Sequence, residues 1–167
     1  RLGASFSATS TVGNIPSSDV SQVGSPETYF GTNRNQFFGN GAPGQGGTKT
    51  DTLPANASLN TFELGGRWDI EPEYAQSTSA DASILYEYPA SNVYFVAASA
   101  VPVKVEVLLD GQPIGQQGGA DVDPTTSTVT IQANRLYSLV HTAMPGTHTL
   151  ELKALTPGLQ AFTFTFG

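Results

Sequence analysis

From Ala161 to Phe166 the chain alternates small or polar residues with aromatic ones. Phe162, Phe164 and Phe166 fall on one side, and Ala161, Thr163 and Thr165 on the other. A period of two with aromatic and β-branched residues is the pattern of a strand with one buried face. A strand carrying three phenylalanines needs a facing sheet to cover them, so this stretch constrains the whole chain. Residues 147–153 alternate as well, and Thr156-Pro157-Gly158 between the two segments reads as a turn. The two are therefore expected to pair like a hairpin.

Further short strand candidates follow one another at 50–53, 61–64, 67–70, 74–77, 82–88, 93–99, 103–109, 128–132 and 136–141. Turn formers separate them: Gly65-Gly66, Pro89, Asp110-Gly111 and Pro145-Gly146. Asp110-Gly111 is the strongest hairpin signal, since both central positions of a type I′ turn take positive φ. No window shows helical apolar spacing with caps. Many short strands without intervening helices predict an all-β fold, an antiparallel β-sandwich of jelly-roll type. Residues 1–24, rich in Ser, Thr, Gly and Ala and nearly free of charge, read as a linker or surface arm. Residues 25–167 then form a single β-sandwich domain.

Seven Lys and Arg stand against fourteen Asp and Glu, a net charge of −7. Phosphate backbones require clustered cations, so nucleic acid is not an expected partner, and an anionic membrane surface is disfavoured for the same reason. The absence of cysteine excludes thiol redox chemistry, disulfides and thiolate metal ligation within this chain. No apolar run is long enough to span a bilayer, and Arg1-Leu2-Gly3-Ala4-Ser5 is not a signal peptide. With no initiator Met, the chain reads as a piece of something longer.

Several segments share their order and spacing with one family. They are Pro26-Glu27-Thr28-Tyr29-Phe30-Gly31, Leu53-Pro54-Ala55 through Leu64-Gly65-Gly66-Arg67-Trp68, and Val105-Glu106-Val107-Leu108-Leu109-Asp110-Gly111-Gln112-Pro113. Asp121-Val122-Asp123 and Arg135-Leu136-Tyr137-Ser138-Leu139-Val140 continue the series. It ends with His148-Thr149-Leu150-Glu151-Leu152 running through Pro157-Gly158 to the phenylalanine-bearing tail. Together, over roughly residues 25–167, they resemble the C-terminal domain of DipZ-type bacterial thioredoxin-like proteins, which are linked to cytochrome c biogenesis. The resemblance implies an extracytoplasmic (periplasmic or cell-envelope), non-catalytic β-sandwich similar to carbohydrate-binding modules, following an upstream thioredoxin-like domain. The Cys-x-x-Cys of that upstream domain has no counterpart here, and the resemblance supplies no ligand-contacting motif.

The candidate ligand-binding residues therefore rest on residue chemistry. Trp68, the only tryptophan, either stacks on a sugar face or packs in the core with Ile70. Tyr86 and Tyr88 share a face of their strand opposite Leu85. If Leu85 points inward, the tyrosines face outward as a platform or lie at a half-buried edge. Arg34 and Arg135, scarce cations in an acidic chain, either pair with carboxylates or bond sugar hydroxyls through the planar guanidinium. Asp121 and Asp123 share a strand face and offer oxygens to a structural Ca2+, which needs six to eight such ligands, or else sit in a solvated turn. His141 and His148, placed as cross-strand neighbours about Pro145-Gly146, are too few for a zinc site. The carboxylates flanking Pro72, Glu71 and Glu73, have no sequence reason to face a common substrate bond as a hydrolase would require.

Three functions follow in order. The first is a non-catalytic accessory domain with carbohydrate binding as its activity and no catalytic cofactor. The second is an interaction, spacer or homodimerisation module that docks the thiol–disulfide domain, which an exposed patch around Tyr29-Phe30 and Phe37-Phe38 would favour. The third, a jelly-roll hydrolase, would need two carboxylates in one cleft.

Overall fold

The computed structural model describes residues 25–167 of the chain, so the proposed arm at 1–24 lies outside the described residues. The described residues form ten strands and one 3-10 turn at Gly115–Gln117. The strands are β1 (Thr28–Tyr29), β2 (Gly47–Asp51), β3 (Phe62–Ile70), β4 (Ala75–Ser77) and β5 (Ala82–Ala98). They continue with β6 (Val103–Leu109), β7 (Gln112–Pro113), β8 (Thr128–Ile131), β9 (Arg135–Ala154) and β10 (Gln160–Phe166). Every pairing between named strands is antiparallel. Among the described residues no helix is long and apolar enough to cross a membrane.

Two long strands organise the molecule. β5 pairs with β3 through its first half and with β10 through its second, and lies against β9 along nearly its whole length. The 82–88 and 93–99 candidates are thus one strand, as are 136–141 and 147–153. Pro89 and Pro145-Gly146, read as turns from the sequence, lie within continuous strands. The reason is a wide irregularity at which residues 142–145 stand opposite Ser91 alone. Proline lacks an N–H, so it is tolerated where the ladder is interrupted. The Thr142 hydroxyl fastens the interruption to the carbonyls of Ser91 and Met144 at 3.1 and 3.0 Å. His141 pairs with Asn92 and His148 with Tyr88, so the histidines sit apart along one strand rather than across from each other.

The bend lets the two halves of the sheet face one another. Tyr86, in the first half of β5, packs its ring 5.6 Å from Phe164 and 5.3 Å from Phe166 of β10. Phe30 joins the halves, with its ring 4.7 Å from Phe62, 5.1 Å from Phe164 and 6.1 Å from Phe95. Four strands also close a circuit: β3 pairs β5, β5 pairs β10, β10 pairs β4, and β4 pairs β3. The segment after β9 therefore crosses over rather than turning back, and β10 pairs with β5 instead of with 147–153. Asp110 and Gly111 take φ of 52° and 81° in the β6–β7 turn, as the hairpin signal requires.

The tail breaks its own alternation. Ala161 pairs with Ala97 but Thr163 pairs with Val96, which leaves Phe162 as the extra residue of a bulge. Phe164 is buried and Phe166 packs against the core, whereas Phe162 is turned to the other side and is only half-buried.

Candidate functional site

The bulge in β10 builds a groove. β1 pairs with β10 through Thr28↔Phe164 and Tyr29↔Thr163, which sets Tyr29 beside the displaced Phe162. Beyond β1 the chain turns at 31–34, closed by the Arg34 N–H donating to the Gly31 carbonyl at 3.2 Å. This turn is fastened to the β3–β4 connection: Thr32 N–H donates to Glu71 O and Asn33 N–H to Pro72 O, both at 3.0 Å. Residue 31 must be glycine, since a Cβ there would lie 2.3 Å from the backbone carbon of Glu73. Tyr29, Asn33, Arg34, Pro72, Glu73 and Phe162 line the resulting groove of about 250 Å³.

Its electrostatics are ordered. The Arg34 guanidinium lies over the Tyr29 ring, 3.6 Å from its centroid, an attraction between cation and ring quadrupole. The Tyr29 hydroxyl donates to Glu27 Oε2 at 2.8 Å, and that bond is the largest cause holding the phenol above its usual range. Tyr74 packs 5.1 Å from Phe162 and supports the outward ring from behind. Such a site offers aromatic carbon faces beside a planar cation, an amide and a carboxylate. Of the two acids flanking Pro72, only Glu73 lines it.

Of the residues named from the sequence as ligand-binding or metal candidates, only Arg34 stands here. Trp68 is fully buried, and its indole N–H donates to the Gly65 carbonyl at 2.8 Å. Its place as a ligand platform is corrected to core packing. Tyr86 and Tyr88 do share a face, but it is the inner one, because β5 presents that face to β10. Leu85 takes the outer face, beneath 53–57. The same burial corrects the proposed patch, since Phe30 and Phe38 belong to the core.

Arg135 lies elsewhere, stacked 3.8 Å over Tyr137 and paired with Asp121 Oδ1 at 2.9 Å. Asp121 is held below its ordinary value first by this Arg135 bond, and its Oδ2 accepts the Ser138 N–H at 2.7 Å. Asp123 Oδ1 accepts the Thr125 N–H at 2.8 Å in a local turn. Both carboxylates of the Ca2+ candidate thus carry protein hydrogen bonds. Among the described residues no group of three or more His, Asp or Glu side chains comes together as a metal site would need.

Two larger cavities exist, about 370 Å³ over Phe38 and the glycine-rich 41–47 loop, and about 510 Å³ between 53–57 and the Asp110-Gly111 turn. Neither contains more than one aromatic ring. The sequence reading missed Phe162 and Asn33 as groove residues. Phe162 is exposed only through the bulge, which leaves no local trace, whereas Gly31 beside an aromatic pair was a visible sign of close backbone approach.

Residues 25–167 match the family model described as the thioredoxin-like C-terminal domain, and the chain belongs to that family. Two curated relatives, Protein DipZ of Mycobacterium bovis and Protein DipZ of Mycobacterium tuberculosis, are each 33% identical over 142 residues. The match covers 85% of this chain but only 18% of each relative. Among solved structures, a family two carbohydrate esterase from Cellvibrio japonicus matches 71% of this chain and 33% of its own. Its TM-score is 0.51 at 15% identity. An active-site mutant of a family two carbohydrate esterase from Clostridium thermocellum matches 64% and 31%, with TM-score 0.52 and 17% identity. At these identities the likeness concerns the fold.

Proposed function

We propose that this domain is a non-catalytic accessory module of an exported thioredoxin-like protein, and that the groove between Tyr29, Arg34 and Phe162 binds a carbohydrate. The carrying observation is the convergence of exposed aromatic carbon with a guanidinium, an amide and a carboxylate in one open groove. A sugar ring has the complementary surface, C–H faces that lie on aromatic rings and hydroxyls that bond planar polar groups. The modest fraction of the relatives' length that this chain spans supports a role beside other domains, among them an upstream thiol–disulfide domain outside the cytoplasm. The test is a glycan array followed by NMR titration of the chain with the glycans retained. Phe162→Ala and Arg34→Ala are each expected to weaken binding by roughly tenfold while core resonances stay in place. Absence of any retained glycan would sink the reading.

A second reading has one specific observation behind it. Tyr29 of β1, the first strand among the described residues, forms a wall of the groove, so only a few residues separate the groove from the polypeptide leading into the domain. In that case the groove docks the thiol–disulfide domain. The same two variants would then weaken association with that domain supplied in trans, and no glycan would compete.

A further inference from the structure

The two charges on the groove are held in an unusual relation. Arg34 and Glu73 line the same cavity, yet they do not pair with each other within 4.0 Å. The ion pairs among the described residues are Lys49–Asp51, Arg135–Asp121 and His148–Asp110. The carboxylate two residues before Tyr29, Glu27, accepts the Tyr29 hydroxyl. Arg34 is seated on the Tyr29 ring, and Glu73 is an exposed side chain on the 71–74 connection, whose backbone is fastened to the 31–34 turn through Glu71 and Pro72. In a chain of net charge −7, a guanidinium with no ion pair among the described residues, lining one groove with an acid it does not pair with, is available to an outside partner.

Resting on the carbohydrate reading above, we infer that the ligand is a saccharide unit that carries both a carboxylate and a free ammonium group. The Arg34 fork takes the carboxylate, Glu73 takes the ammonium, and the ring face lies against Phe162. Charge-assisted hydrogen bonds are about twice as strong as neutral ones, and a planar fork fits a carboxylate through two parallel bonds. A purely acidic sugar would meet repulsion from Glu73, and a purely basic one repulsion from Arg34. A neutral sugar would leave both charges without a partner. Rejection of single charges is as much part of the selectivity as attraction of the pair.

The experiment compares four sugars on one scaffold by NMR titration of the 167-residue chain. Glucose carries neither group, glucosamine the ammonium alone, N-acetylmuramic acid the carboxylate alone, and muramic acid both. Muramic acid is expected to bind roughly tenfold more tightly than any of the other three, with shifts at residues 29, 33, 34, 73 and 162. Added salt reduces this preference. Arg34→Gln should bring muramic acid down to the level of glucosamine without the carboxylate, and Glu73→Gln to the level of N-acetylmuramic acid. Both side chains are exposed, and a dispersed spectrum of each variant verifies the fold. Equal affinity for all four sugars would overturn the charge assignment and leave the carbohydrate reading standing. β-Alanine binding as tightly as muramic acid, or no sugar perturbing the groove, would overturn both.

Discussion

Glu63 stands on β3 with its side chain away from the phenylalanine core, opposite Leu85. It is nonetheless only 4% exposed, and its Oε2 has no hydrogen-bond partner among the described residues. Burial, the largest cause, pushes the carboxyl up from 4.5 to about 7; a backbone hydrogen bond from Ser58 offsets this, and the nearby Glu87 charge adds to it. Between those two values the folded chain holds a proton that the unfolded chain has released, so stability falls as pH rises from about 4.5 to about 7 and is flat above. The full gap corresponds to at most roughly 3 kcal/mol, reduced by whatever screening solvent supplies. Glu63→Gln is expected to abolish most of this slope and to stabilise the domain at pH 8, as read by urea unfolding across that range. An unchanged slope would exclude Glu63 as its source. This burial left no local sign in the sequence, because Gly39 and Leu85, which lie near Glu63, are far from it along the chain. Tyr86 and Tyr88 show the same limit: alternation placed them on a common face, but only the bend of β5 decides that the face is inward.

At the level of elements, the sequence marked strand positions well and strand continuity poorly. Proline and glycine interrupt a ladder in a bulge as they do in a turn, and only the partner strand distinguishes the two. Pro89 and Pro145-Gly146 were therefore misread, while Asp110-Gly111, whose positive φ values are a local demand, was read correctly. The groove shows the same division. Its Arg34 was legible as a scarce cation, but the outward turn of Phe162 depends on a register shift against β5. The 31–34 turn is the element on which the site rests. Gly31→Ala should force a Cβ into the Glu73 backbone, costing about 1–3 kcal/mol in denaturant unfolding and abolishing ligand shifts at Asn33 and Arg34. Wild-type stability and binding in that variant would show that the turn has room to move.

At the scale of the molecule, all-β character and the absence of helical spacing were legible along residues 25–167, whereas the crossover of β10 was not. Pairing with β5 instead of with 147–153 is a choice between equally alternating neighbours, decided by which arrangement covers Phe164 and Phe30 together. β10 touches β1, β4 and β5, so it completes the circuit of strands. Truncation after Gly158 is expected to abolish cooperative thermal unfolding and leave a chain that binds hydrophobic dye; a sharp transition in the truncated chain would show that the remainder is self-sufficient. β5 and β9 each run through both described halves and stay paired on either side of the 142–145 interruption, so two strands rather than a single linker join the halves. Whatever enters beside Phe162 meets a backbone frame already fastened in position, so capture should run near the speed of encounter.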